Sequence, residues 1–218
     1  MELGKATDGF VARYINRRLS IRITKAIVKY RLPLTPNQVS VISFLIGVGA
    51  AATLVLGRPL LAAILVQLSS IINGVDGELA RLLGMSSRLG AFLDAILDRL
   101  VDIAIIISLA YYVLHYVPHP SPQLPLIASL LALSGDLMVS YIHARGEASL
   151  GLHPSRVGRI PNFSSRDVRL FIIFLGLILG KPLITLLVVA ITSYSYVISK
   201  FIEVLVSLRG VEREEFRS

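Results

Sequence analysis

Apolar runs of membrane-spanning length are the feature that most limits what this chain can become. A bilayer core of ~30 Å takes ~20 apolar residues as helix, and runs of that order recur between residues 39 and 208. Backbone groups in hydrocarbon must bond within the protein, which leaves helices and closed barrels as the only spanning structures. The runs show no period-two alternation of polar and apolar residues, so a barrel is excluded. Of the 218 residues 54% are hydrophobic, more apolar surface than a soluble core of this length takes up. The expectation is an all-α integral membrane protein.

Six transmembrane helices are expected, at residues 39–56, 59–80, 89–117, 124–144, 167–179 and 182–208, the fifth being the shortest. Gly57-Arg58-Pro59, the stretch 118–125 and Gly180-Lys181-Pro182 read as the outer turns. Residues 1–38 read as a cytoplasmic arm. There Arg13, Arg17, Arg18, Arg22, Lys25, Lys29 and Arg31 interleave with Phe10, Val11, Tyr14, Ile15, Leu19, Ile23, Ile27 and Val28. Apolar residues recurring at three and four make one greasy face and basic residues cover the rest, the pattern of an amphipathic juxtamembrane helix lying on a membrane. Pro33 and Pro36 end the arm, and Thr35-Pro36-Asn37 is a start signal for the first span. Residues 39–208 then form the six-helix transmembrane domain and 209–218 a cytoplasmic tail.

Lys and Arg set the orientation. One side receives the arm, the loop 81–88, the loop 145–166 and Arg209, Arg213 and Arg217, whereas the other receives only Arg58 and Lys181. Both termini are therefore expected in the cytoplasm, with the protein in the cell membrane. The net charge of +8 lies mostly beside the spans, where anionic headgroups or cytosolic phosphates are the natural partners, rather than nucleic acid. The absence of cysteine rules out disulfides and thiolate metal sites. The first thirty residues lack the continuous apolar stretch and small-residue site of a cleavable signal peptide.

After Asp8 no acid occurs until Asp76, and then Glu78, Asp94, Asp98 and Asp102 follow quickly. Ionisable groups inside spans are costly and mark function by default. The second span runs inward and the third begins at the same surface, so both sets of acids lie at the cytoplasmic end of neighbouring helices. Asn73 and Asp76 share a face, and Asp94, Asp98 and Asp102 stack at intervals of four. Hard oxygen donors converging from two helices suit Mg²⁺, Mn²⁺ or Ca²⁺, and a cation between them relieves their repulsion. The bland alternative pairs these acids with Arg81, Arg88 and Arg99 at helix ends. For Asp102 the two readings are equal; for Glu78 and the others function is favoured. Gly74, Gly77, Ala80, Gly84 and Gly90 clear the helix surfaces around the acids, as close helix packing alone would also require.

The run Asn73-Gly74-Val75-Asp76-Gly77-Glu78-Leu79-Ala80-Arg81, followed by Gly90, Asp94 and Asp98, resembles the signature of the CDP-alcohol phosphotransferases, D-x-x-D-G-x-x-A-R and then G-x-x-x-D-x-x-x-D. Seven of its eight fixed positions match. The resemblance implies six membrane helices, a homodimer, and a polar cavity open to the cytoplasm. It implies attack by an acceptor hydroxyl on the β-phosphorus of a CDP-alcohol, with CMP leaving. Carried over, Asn73, Asp76, Asp94 and Asp98 are the metal ligands for two Mg²⁺ or Mn²⁺ ions, and Asp98 is also the catalytic base. Asp76, Gly77, Ala80, Arg81, Gly90 and Asp94 would bind CDP. Asn73 stands where the family has its first acid. An amide oxygen still ligates a metal but brings no charge.

Ser140-Tyr141-Ile142-His143-Ala144-Arg145-Gly146-Glu147 resembles the end of the fourth span in members making phosphoinositol or phosphoglycerol products. The stretch 35–39, the Gly-Val-Asp-Gly-Glu form of the motif, and Ser165-Arg166-Asp167-Val168-Arg169 resemble the branch that includes di-myo-inositol-phosphate-phosphate synthases, often fused behind a cytidylyltransferase domain. No such domain is read in these residues, so a separate cytidylyltransferase partner is the expectation. The substrates implied are CDP-inositol and an inositol phosphate, or a CDP-diacylglycerol-type or archaeal ether-lipid donor. Arg145, Arg166 and Arg169 are the expected ligands of an acceptor phosphate, because a guanidinium binds phosphate oxygens in pairs. His115, His119, His143 and His153 read as structural, without ligand-spaced partners. Asp136, alone in the fourth span, either pairs across helices or lines the cavity. The rival from another class is a cation transporter or channel. It would distribute acids through the membrane depth, whereas these gather at one end.

Overall fold

The structure, a computed structural model, describes residues 9–119 and 121–215; the ends of the expected arm and tail, Arg217 among them, lie outside the described residues. Every regular element in them is helical. One π-helical turn, Ala12–Asn16, leads into α1 (Arg17–Lys29), and six further α-helices follow: α2 (Pro36–Val55), α3 (Pro59–Leu82), α4 (Arg88–Tyr116), α5 (Gln123–Leu150), α6 (Arg166–Ile178) and α7 (Pro182–Glu215).

The expected punctuation sets the helix ends. Thr35 caps α2 in a reciprocal box: its Oγ1 accepts from the Gln38 N–H at 3.3 Å, while Gln38 Oε1 accepts from the Thr35 N–H at 2.9 Å. Gly57 and Gly180, at φ 69° and 62°, take the left-handed conformation that turns α2 into α3 and α6 into α7. In both turns a proline opens the next helix. Ser87 caps α4, its Oγ accepting from the Gly90 N–H at 3.0 Å.

Six helices stand where six spans were expected. Four of them, α2, α3, α5 and α7, are long and apolar enough to cross a membrane by length and composition. α4 has 29 residues but carries Asp94, Asp98, Arg99 and Asp102 in its first half. α6 has 13 residues, ~20 Å of helix, less than a full bilayer core. Large apolar side chains such as Leu45, Ile64, Leu130 and Ile191 stand exposed on the outside, as lipid-facing surfaces do and soluble surfaces do not. Two boundaries need correction. α5 continues to Leu150, six residues past its expected end, because nothing in 145–150 breaks a helix before Gly151 at φ 64°. α7 continues to Glu215, so the stretch expected as a tail begins as helix.

The two ends of the bundle have opposite character. Leu54, Val66, Ile105, Leu109, Ile173 and Leu186 form an apolar core toward the end away from the arm. Below it, Ser43 Oγ donates to the Ser69 carbonyl at 2.9 Å and Ser69 Oγ to the Ser43 carbonyl at 3.0 Å, stitching α2 to α3. Beyond that stitch, toward the arm, the interior is polar.

The arm is helical, as expected, but its buried face is not the greasy one. Asn16, Ser20 and Thr24 point inward against α3 along with Ile27. Phe10, Tyr14 and Leu19 stay exposed. A helix packed on a polar cavity buries the groups that can bond there, and so its apolar stripe is left for its surroundings.

Candidate active site

Two adjoining clefts open at the polar end, and they share Asp76, Gly77 and Asp94. The first, of ≈ 280 Å³, is lined by all six residues expected to hold CDP: Asp76, Gly77, Ala80, Arg81, Gly90 and Asp94. Asn37 and Ser40, at the start of α2, complete its wall. The second, of ≈ 160 Å³, is lined by Asn73, Asp98, Arg166 and Asp167 besides the shared residues, and by Asn16, Arg17 and Ser20 of the arm. The expected metal ligands therefore lie at the seam and on the far side of one continuous polar space.

Local geometry orients each acid. Asp76 is buried; Ser40 Oγ donates to its Oδ2 at 2.5 Å, and the Gly77 N–H donates to its Oδ1. Asp94 lines both clefts with it, and two carboxylates in one cavity repel unless a proton or a cation lies between them. Asn73 Nδ2 donates to Asp98 Oδ2 at 3.2 Å. The other oxygen of Asp98 faces Arg166 Nη1 at 3.0 Å. Among the described residues, no three acidic, histidine or cysteine side chains already close into a coordination shell, because Asp98 turns to Arg166 rather than to Asp76 and Asp94. The donor chemistry fits a hard divalent ion all the same. Two facing carboxylates, a third within the same cavity and an amide oxygen are what Mg²⁺ or Mn²⁺ takes.

Close approach explains two glycines. A Cβ on Gly90 would meet Asn37 Oδ1 and Ser87 Oγ, each at 3.0 Å. A Cβ on Gly74 would sit 3.3 Å from Ser20 Oγ and 3.6 Å from Arg17 Nη1, so this glycine lets the arm lie against α3.

A chain of alternating charges leads away from the site. Arg166 Nε binds Asp102 Oδ1 at 2.9 Å, Arg99 Nη2 binds Asp102 Oδ2 at 2.8 Å, and Arg99 Nη1 lies 3.6 Å from Asp136 Oδ2. Asp136 in turn pairs with Arg169. This gives Asp102 and Asp136 structural roles and joins α4, α5 and α6.

Several expectations change here. Of the three arginines assigned to an acceptor phosphate, only Arg166 lines the second cleft. Arg169 is 2% exposed and committed to Asp136 and the Ser164 carbonyl. Arg145 is exposed on the extension of α5 and lines neither cleft. Glu78 leaves the functional set as well: it is fully buried and accepts from Arg17 Nη1 at 2.6 Å, Ser20 Oγ at 2.6 Å and Thr24 Oγ1 at 2.7 Å. Its period along α3 could not reveal that, since its partners lie more than fifty residues away. His143 and His153, read as structural, lie with ring centroids 4.5 Å apart, and His143 Nε2 lies 2.8 Å from the Tyr196 hydroxyl. Asn37, read only as part of a helix start signal, and Ser40 three residues on share a face of α2 and line the first cleft.

Residues 33–204 match the family model described as CDP-alcohol phosphatidyltransferase. The chain belongs to this family. The family's members are CDP-alcohol phosphotransferases, hence transferases, and generally depend on divalent metal, which displaces the transporter reading. Over 175 residues the transferase is 46% identical to a "Bifunctional IPC transferase and DIPP synthase" of Rubrobacter xylanophilus, covering 80% of this chain and 38% of that protein. The chain thus spans about two fifths of the length of that relative. It is 32% identical over 172 residues to an "Archaetidylinositol phosphate synthase" of Pyrococcus horikoshii, covering 79% of this chain and 84% of that one. The fold is similar to that of phosphatidylinositol phosphate synthase from Mycobacterium tuberculosis. The structure of that protein with CDP-DAG bound superposes with a TM-score of 0.70 at 26% identity, covering 86% of this chain and 94% of that one. Its complex with manganese and citrate superposes with a TM-score of 0.71 at 26% identity, covering 86% and 89%.

Proposed function

We propose that the transferase moves a phosphoinositol group from CDP-inositol to an inositol phosphate, releasing CMP. The observation that carries this reading is the pair of clefts meeting at Asp76 and Asp94. One is lined by the residues of the nucleotide motif, the other by an acid free of that motif's first cleft, Asp98, and a cation, Arg166. A donor seated in the first and an acceptor in the second would bring phosphorus and hydroxyl together at the seam.

Asn73, Asp76, Asp94 and Asp98 would hold two Mg²⁺ or Mn²⁺ ions, which when bound supply charge for the phosphates and for the departing CMP. The rest falls to the chain. The first cleft orients the cytidine diphosphate by close backbone contact at Gly77 and Gly90. Asp98 accepts the proton of the acceptor hydroxyl. The hydroxyl oxygen bonds to the β-phosphorus, the bond from that phosphorus to the bridging oxygen breaks, and CMP leaves with the electron pair. Arg166, bonded to both Asp98 and Asp102, holds the base in position and offers its guanidinium to an acceptor phosphate.

A lipid donor is the second reading. It is favoured by the archaetidylinositol phosphate synthase, a relative matched over most of its own length, and by the CDP-DAG seated in the similar fold. Both readings share an inositol phosphate as acceptor. They place the protein as a homodimer in the cell membrane, with six spans, both termini and the clefts at the cytoplasmic side, the arm on the membrane surface and a cytidylyltransferase partner supplying the donor. The deciding experiment is a matrix of donors, CDP-inositol, CDP-diacylglycerol and its ether-lipid counterpart, against inositol phosphate, glycerol phosphate and free inositol, read as CMP release with Mg²⁺ or Mn²⁺. CMP release from CDP-inositol with inositol phosphate supports the first reading. Release from the lipid donors alone supports the second, and no release from any pair refutes both.

A further inference from the structure

The second cleft has a wall that the six membrane helices do not supply. Asn16, Arg17 and Ser20 of the arm line it together with Arg166. We propose that Arg17 is a second ligand of the acceptor's phosphate, and that the docked arm is the element that makes the transferase select a phosphorylated polyol. This rests on the reading of the second cleft as the acceptor site.

The arm is held as a binding wall must be. Asn16 Nδ2 donates to Ser70 Oγ at 3.0 Å and Gln67 Nε2 donates to Asn16 Oδ1 at 2.7 Å. The Ala12 N–H donates to Asp167 Oδ2 at 2.6 Å, tying the start of the arm to the first turn of α6, beside Arg166. Glu78 fixes the middle. Its two oxygens already accept from Ser20 and Thr24, so hydrogen bonding alone would satisfy much of it without an arginine.

Charge points the same way. Asp76, Asp94, Asp98 and Asp167 all contribute to the lining. A phosphomonoester carries about −1.5 to −2 at neutral pH; beside the ions that Asp76, Asp94 and Asp98 would hold, Arg166 offers it one guanidinium, which Asp98 and Asp102 already share. Arg17 is the other cation in the lining. The two arginines are built alike. Each has a side chain 13–14% exposed, reaching the cleft with a buried acid behind it: Glu78, at 0%, for Arg17 and Asp102, at 2%, for Arg166. A cation braced by a buried carboxylate loses little freedom on binding an anion, the arrangement expected of a preorganised oxyanion site.

The test uses the full chain, purified, with Mg²⁺, the donor that proves active, and myo-inositol monophosphate against myo-inositol as acceptors. Arg17→Gln should raise the KM for the phosphorylated acceptor at least ~10-fold, the loss of one charge-assisted contact, with the donor KM unchanged. Discrimination between the two acceptors should fall by the same factor. Arg17→Lys should recover part of both. The double variant Arg17→Gln/Glu78→Gln separates binding from bracing. It leaves no buried unpaired charge, and Ser20 and Thr24 can still bond the amide. Persistence of the acceptor defect in the double variant supports the proposal. Recovery of a normal acceptor KM would show that Arg17 only neutralises Glu78 and overturns it. A donor KM raised as much as the acceptor KM overturns it too, since that reports loss of the arm rather than of a ligand. Arg166→Gln is the control for the underlying reading. If it leaves the acceptor KM unchanged, the cleft assignment fails; if it raises that KM while Arg17→Gln does not, only the role of Arg17 fails.

Discussion

Asp98 is the residue on which the chemistry turns, and its surroundings make its replacement informative. Asp98→Asn keeps an oxygen beside Arg166 and Asn73 but cannot take a proton. Turnover should fall ~10²–10⁴-fold, while metal-induced thermal stabilisation persists; near-normal turnover would exclude Asp98 as the base. Asn73→Asp should act in two directions. It replaces the amide that donates to Asp98 at 3.2 Å by a like charge, so the metal-free protein should unfold at a lower temperature. Added Mg²⁺ or Mn²⁺ should recover more than it does for the natural chain, because hard cations favour anionic oxygen. A melting curve unchanged in both conditions would mean that position 73 does not face the site. Spacing along one helix announced Asp76, Asp94 and Asp98. It was silent on Ser40 and Arg17, which meet the same clefts from elements 36 and 61 residues away from their partners.

At the level of elements, start signals and turn glycines were legible, and the ends of α5 and α7 were not. A span and a helix that outlasts its span have the same local propensity; only the apolar run stops. The arm shows a deeper reason. Its composition reads as a membrane-surface helix, and the exposed Phe10, Tyr14 and Leu19 keep that character. The residues that dock it, Asn16, Ser20 and Thr24, are ordinary polar letters whose meaning comes from Glu78 on another helix. Glu78→Ala should therefore release the arm. Each buried donor left without an acceptor costs ~1–3 kcal/mol, and limited proteolysis should cut within residues 17–29 faster in this variant, with α2 to α7 intact. Equal cleavage rates would show that apolar contacts alone, such as Ile27 with Val75 and Leu79, hold the arm.

Over the whole molecule, the apolar core and the polar site occupy opposite ends, and the charge chain from Asp98 through Asp102 to Asp136 runs between them. Six helices and an acid cluster gathered at one end follow from hydropathy and from where acids are tolerated. The pairing of Asp136 with Arg169 does not, since an acid and a base on different helices carry no mutual signal in sequence. That pair is buried at both ends. Asp136→Ala should cost ~3–5 kcal/mol by stranding a buried guanidinium, seen as an early thermal unfolding transition. Replacing both partners, Asp136→Leu with Arg169→Met, should recover most of the loss. Failure of the single change to destabilise would mean that water reaches Arg169.

The bond from the Ala12 N–H to Asp167 joins points 155 residues apart, and this has a consequence in time. During synthesis the arm emerges before α2 to α5, but its anchor on α6 is made after all of them. Contacts so distant in sequence form late, after the ordering of everything between them. Until α6 is in place the second cleft lacks both Arg166 and the tether of the arm. A nascent chain inserted through α5 would already hold the nucleotide motif complete and still have nowhere to receive an acceptor.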